Sequence, residues 1–115
     1  MYVDSASGKF EVKFNYYTLY LYELEFDGRD LIKDVYGDGS AIVTDDGVSF
    51  NIAAVNWTAI TKALWAGAKC ANPRLPRYAE WAAQDNGIPL FDVAGEVVAE
   101  INKELFRFGV AAVSE

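Results

Sequence analysis

The stretch Ile52-Ala53-Ala54-Val55-Asn56-Trp57-Thr58-Ala59-Ile60-Thr61-Lys62-Ala63-Leu64-Trp65-Ala66-Gly67-Ala68-Lys69-Cys70 decides how the chain is read. Starting at Ile52 or Ala53, the positions Ala53, Trp57, Ile60, Leu64 and Ala68 share one stripe at the period of an α-helix, with Thr61 and Trp65 beside it. Lys62 and Lys69 are its only charges, so the helix is apolar over more than half its circumference. A helix of that kind is either central in its fold or covered by a partner. Asn72-Pro73 ends it.

Downstream, Pro76 is expected at the first position of a short helix, where its missing N–H costs nothing. That helix, Arg77 to Gln84, should bury Tyr78, Trp81 and Ala82, and Asp85-Asn86-Gly87 closes it. The final helix opens at Pro89 and closes at Gly109. Leu90, Ala94, Val97, Val98, Ile101, Leu105 and Phe108 form its apolar stripe, opposite Glu96, Glu100, Lys103, Glu104 and Arg107. Asp92 near its start and Lys103 and Arg107 near its end suit the helix dipole. The middle and last helices should pack through Trp57, Ile60, Leu64, Val97, Val98 and Ile101.

Upstream, Lys9-Phe10-Glu11-Val12-Lys13-Phe14 alternates with period two, as a half-buried strand does, with Phe10, Val12 and Phe14 inward. Ser7-Gly8 marks a turn, so Tyr2-Val3 can pair back as a hairpin. Asn15 is placed to cap a helix over Tyr16 to Phe26. Tyr16, Leu19, Tyr20 and Leu24 are its candidate apolar side, Glu23 and Glu25 lie outside, and Gly28 is its left-handed stop. Asp30 caps a second short helix, Leu31 to Tyr36, with Leu31, Ile32, Val35 and Tyr36 apolar and Gly37 after it. Between 37 and 50, Ala41-Ile42-Val43 and Val48-Ser49-Phe50 flank Asp45-Asp46-Gly47, which reads as a hairpin or as a long loop. The expected architecture is a single α+β domain, mainly helical, with a short N-terminal β-hairpin and about five helices. Phe14, Phe26, Trp57, Trp81 and Phe106 are the expected aromatic core.

The 115 residues contain 52% hydrophobic and 15% aromatic side chains, a composition that folds. Ten Lys and Arg against seventeen Asp and Glu leave a net charge of −7. An acidic chain is a poor partner for phosphate backbones and for anionic membrane surfaces, so neither nucleic acid nor membrane is expected. Residues 1–50 carry ten acids and four bases, residues 51–115 seven and six, so the second half is nearly neutral. There is no histidine, which removes imidazole bases, histidine-based nucleophile systems and most zinc sites. Cys70 is the only cysteine, so no intramolecular disulfide is possible; a lone cysteine suits a reducing cytosol. The first residues lack the basic and apolar segments of a signal peptide.

The remaining chemistry is thin. Glu23, Glu25 and Asp27 are close in sequence, but i,i+2 positions on a helix point apart. Asp34 to Asp45 imitates a calcium loop through Asp38 and Gly39, yet Tyr36 stands where a ligand is needed and Asp45 where a bidentate Glu belongs. Gly37-Asp38-Gly39-Ser40 lacks the ending of a phosphate loop, and Cys70 reads as a packed small residue. No catalytic, cofactor or metal residue is predicted. The aromatics are more informative. Tyr16, Tyr17, Tyr20 and Tyr22 occupy several sides of one helix, so some must face outward, and Tyr and Trp are favoured anchors of protein interfaces.

Three stretches resemble one family. They are Phe10-Glu11-Val12-Lys13-Phe14 with the aromatic helix Asn15 to Glu25 and the Gly28 break; Asn56 to Cys70 followed by Leu75-Pro76-Arg77-Tyr78-Ala79-Glu80-Trp81; and the closing helix from Phe91-Asp92-Val93 to Leu105. In plan and element order they are similar to the tail assembly chaperones of long, non-contractile-tailed bacteriophages, also called tape-measure chaperones. The Asp/Gly-rich stretch 37–50 has no match in that plan. The resemblance implies a non-enzymatic, self-associating protein of the host cytoplasm, absent from the mature virion. It would coat the hydrophobic, helical tape-measure protein before the tail tube polymerises, and in a frameshifted longer form would recruit tail tube protein. It implies no cofactor. The partner-binding positions it points to are Trp57, Leu64 and Trp65, with Tyr16, Tyr17 and Tyr20 second. The competing readings are a structural subunit of a phage tail or connector, and a small non-catalytic protein-binding module.

Overall fold

The computed structural model describes residues 1–36, 41–44, 47–50 and 56–106, the segments 41–44 and 47–50 by their backbone alone. Along them run strands β1 (Tyr2–Ser5) and β2 (Gly8–Glu11), helices α1 (Tyr16–Glu25) and α2 (Leu31–Tyr36), strands β3 (Ala41–Thr44) and β4 (Gly47–Phe50), and helices α3 (Trp57–Ala71), α4 (Tyr78–Ala82) and α5 (Leu90–Leu105). The result is a small α+β domain, as the sequence predicts.

β1 and β2 pair antiparallel, Tyr2 opposite Glu11 and Val3 opposite Phe10. The period-two pattern outlasts the ladder. Val12 and Phe14 are buried and Phe10 half-buried, but beyond Glu11 the chain is pinned rather than paired in a sheet. The Val12 N–H donates to the Met1 carbonyl at 2.8 Å and the Lys13 N–H to the Gly67 carbonyl at 3.0 Å. That second bond brings the segment onto the backbone of α3, and only a residue without Cβ allows it: a Cβ at Gly67 would overlap Val12 Cγ1 and lie 3.2 Å from Phe14 Cε1.

Asn15 caps α1 as expected, and with Thr18 it forms a capping box: Asn15 Oδ1 accepts from the Thr18 N–H and Thr18 Oγ1 from the Asn15 N–H, both at 3.1 Å. The helix ends in a Schellman turn, with Asp27 and Gly28 both at positive φ and the Gly28 N–H donating to the Glu23 carbonyl. Asp30 Oδ1 accepts from the N–H groups of Ile32 and Lys33 at the start of α2. The segments 41–44 and 47–50, open between hairpin and loop, pair as a hairpin with Ala41 opposite Phe50 and Thr44 opposite Gly47. β3 runs beside α2 and β4 beside α5.

α3 is the centre, in contact with β2, α1, α2, α4 and α5. Eight of its residues are buried, Ala59, Ile60 and everything from Ala63 to Ala68. It begins at Trp57 rather than at Ile52 or Ala53, because Asn56 is extended and its side chain accepts from the Ala59 N–H as the cap; Ala53 lies outside the described residues. α5 packs against it with Val93, Ala94, Val97, Val98 and Ile101 buried, and Ile60 and Leu64 answer from α3. Trp57, Phe26 and Phe106 are half-buried at the core edge, while Phe14 and Trp81 are inside. Two prolines stand earlier relative to their helices than expected, Pro76 by two places and Pro89 by one. Arg77 and Pro89 are the N-cap residues of α4 and α5, so Pro76 precedes a cap and Pro89 is one. α4 is shorter than expected, leaving Ala82 exposed. α5 ends at Leu105; Gly109, Arg107 and Phe108 lie outside the described residues, as do Gly37, Asp38, Gly39, Ser40, Asp45 and Asp46.

Candidate protein-binding site

The face that α1 turns to solvent is the reverse of the one expected. Thr18 and Tyr22 are buried, Leu19, Leu21, Glu25 and Phe26 are half-buried, and the stripe Tyr16, Tyr20 and Leu24 points out. Tyr16 is 81% exposed, Leu24 61%, Tyr17 56% and Tyr20 53%. The rings of Tyr17 and Tyr20 meet at 5.9 Å. Positions 17, 20 and 24 are spaced as the apolar seam of a helix that packs on another helix. The apolar residues of α1 are spread around most of the helix, so periodicity does not choose its inner face. The choice is made by Thr18, whose hydroxyl donates to the Lys13 carbonyl at 2.6 Å, and by Tyr22, whose hydroxyl donates to Asp34 Oδ2 at 2.8 Å. The Asn15–Thr18 pair is the sequence signal that could have oriented this helix.

Of the other predicted contact residues, Leu64 and Trp65 are not surface residues. Leu64 has no exposure, and Trp65 donates its indole N–H to the Pro76 carbonyl at 2.9 Å inside the core. A partner reaches neither without opening the fold, because both lie on the buried side of α3. Trp57 is half-buried and stacks nearly parallel on Phe91 at 6.2 Å. Phe91, 68% exposed in the first turn of α5, was not among the expected contact residues. The structure therefore brings Tyr16, Tyr17 and Tyr20 together on α1 and puts Trp57 in a separate aromatic pair.

Two carboxylates beside α1, Asp34 and Glu25, are engaged internally. Asp34, the first residue of the calcium-like stretch, pairs with Arg29 and accepts from Tyr22. Burial works to raise its carboxyl pKa, but the hydrogen bonds from Arg29 and Tyr22 and the positive charges of Arg29 and Lys62 outweigh it and hold it below the usual value. Burial and the Asp34 contact push the Tyr22 hydroxyl well above its ordinary value, and burial raises Tyr36 to about 12. Glu25, expected outside, is turned in. Its carboxylate accepts from the Tyr78 N–H at 2.7 Å and from Arg77 Nε at 3.1 Å, which fastens the start of α4 to the end of α1. Lys62 lies 4.9 Å over the Phe26 ring. Cys70 is half-buried and its thiol donates to Asn15 Oδ1 at 3.5 Å.

A concave feature lies between α3, α4 and the start of α5. It encloses about 320 Å³ and is lined by Thr61, Tyr78, Trp81, Ile88 and Leu90, with Ala82, Gln84 and Asn86 at its border. Its loop wall is held by the Ala6 N–H donating to the Asn86 carbonyl at 2.7 Å and by Asn86 Nδ2 donating to the Trp81 carbonyl at 2.8 Å. Among the described residues no group of three or more His, Cys, Asp or Glu side chains gathers as a metal site. Among them, too, no helix is long and apolar enough to cross a membrane. Compared with known proteins, the chain matches no family model, no curated protein and no solved structure.

Proposed function

We propose that this protein is a non-catalytic assembly chaperone that shields an apolar helical partner, and that the partner is a phage tape-measure protein. The observation that carries the reading is the outward side of α1, where Tyr16, Tyr17, Tyr20 and Leu24 stand in solvent along one helix. Covering large apolar side chains is worth roughly 1.5–3 kcal/mol each, and tyrosines lose little side-chain entropy on docking. A partner helix laid along this seam would be gripped by rings, while the acidic surface of a −7 chain keeps the complex soluble. The phage setting, tail tube protein as a further partner, the self-association and the cytoplasmic site of action rest on the sequence resemblance.

The test is co-expression with a tape-measure fragment from the same source, with fragment solubility as the readout. The native chain should raise solubility, and Tyr20→Asp or Leu24→Asp should abolish the gain without lowering the melting temperature. If solubility never rises, or if both variants protect as well as the native chain, the reading fails. Mass spectrometry of purified particles separates it from a tail or connector subunit: a chaperone is absent from the virion.

A further inference from the structure

We infer that the α3–α4–α5 cleft is a second docking site, independent of α1, that accepts one large apolar side chain from a peptide whose flanking residues are basic. The size of the cleft argues for a single side chain. At about 320 Å³ it lies at the low end of the ~300–1,000 Å³ typical of small-ligand pockets. Its walls argue for an aromatic or branched aliphatic one. Trp81 and Tyr78 meet at 6.1 Å and form one side, with Ile88 and Leu90 supplying aliphatic contact. The Thr61 and Tyr78 hydroxyls are already bonded to each other at 3.0 Å, so they ask little of an occupant. The cleft is preformed, because Ala6, Asn86 and Trp81 tie its loop wall in place.

The charge of the surroundings decides what flanks the anchor. Residues 78–92, which supply all of the lining except Thr61, contain the exposed acids Glu80, Asp85 and Asp92 and no Lys or Arg, and Arg77 just before them is paired with Glu25. The nearest lysine in sequence to Thr61, Lys62, is turned away over Phe26. Acids on the surface within about 10 Å of a bound peptide still act on it at moderate salt. A neutral aromatic slot set in an anionic surface selects a hydrophobic residue between cations and repels the same residue between carboxylates.

The experiment is a titration of the ¹⁵N-labelled full chain with three acetylated, amidated pentapeptides, KKFKK, EEFEE and KKAKK. KKFKK should shift the Trp81 indole N–H and the amides of Gln84, Asn86, Ile88 and Leu90 saturably. EEFEE should bind at least about tenfold more weakly, a gap that closes near 0.5 M salt as screening removes the charge contribution. KKAKK should give no saturable response in the cleft. Ala82→Phe, at an exposed position on the border, should plug the cleft and remove the response. Ile88→Gln, which makes the wall polar, is the companion variant in case the first perturbs α4. The inference is overturned if KKFKK shifts nothing in the cleft, if it shifts only α1, if EEFEE binds as well, or if both variants respond like the native chain. A response confined to the cleft that survives Tyr20→Asp supports it, whatever the fate of the α1 reading.

Discussion

Gly67→Ala is the substitution whose outcome most directly tests how the N-terminal segment is held to the central helix. On helix propensity alone the change should stabilise α3 by about 1 kcal/mol. The packing opposes it. The new Cβ would overlap Val12 Cγ1, and it would lie 3.2 Å from Phe14 Cε1 and 3.3 Å from the Lys13 carbonyl oxygen. Val12 cannot swing away, since it is fully buried and β-branched. Its backbone cannot retreat either, because the Val12 and Lys13 N–H groups are bonded to Met1 and Gly67. Overpacking of this kind costs about 1–3 kcal/mol, and a site pinned from both sides belongs at the upper end. The net loss should be about 2 kcal/mol, which for 115 residues lowers the melting temperature by about 8 °C. The assay is urea and thermal unfolding of a double-mutant cycle. Val12→Ala alone should cost about 2–3 kcal/mol by removing buried methyl groups. In the double variant the methyl introduced at position 67 occupies the space Val12 vacates, so the double should be more stable than the summed singles by at least about 1 kcal/mol. Unchanged or raised stability in Gly67→Ala, or additivity within about 0.5 kcal/mol, would refute the close approach.

Glu25→Ala should cost about 2 kcal/mol, because the Tyr78 N–H and Arg77 lose a charged acceptor together, and hydrogen exchange should locate the loosening in α4. Val97→Asp, at a fully buried position on α5, should leave no folded protein, read by loss of the near-ultraviolet circular dichroism of the packed tryptophans. Asn15→Ala should cost about 1 kcal/mol in chemical unfolding, through loss of the α1 cap. The pH dependence has two limbs. Asp34 is held below its ordinary value of 3.8, so its contribution is present above that pH and lost as pH falls through its folded value. Tyr22 and Tyr36 are raised from 10.0, so their contributions are full below pH 10 and are lost as pH climbs through their folded values. Tyrosinate absorbance should therefore show these two ionising only as the fold gives way, and early ionisation of all seven tyrosines in a native fold would contradict the burial.

The sequence by itself determined the elements whose residues differ by face. α5 was legible because its apolar stripe and charged side are distinct, so one orientation buries the stripe and wets the charges. The N-terminal hairpin and the caps at Asn15 and Asp30 were legible because each depends on neighbours a few residues away. Only the tertiary structure decided the face of α1, since a helix with apolar residues spread around most of it has no preferred side until Thr18 and Tyr22 find the Lys13 carbonyl and Asp34. The same holds for Glu25, whose partners Arg77 and Tyr78 come more than fifty residues later. It holds as well for Leu64 and Trp65. The sequence left α3 to be either central or covered by a partner, and enclosure by four other helices and a strand made it central. That enclosure moved the candidate contact surface from the tryptophan-bearing helix to the tyrosines of α1, because a side chain sealed in a core has no surface left to offer.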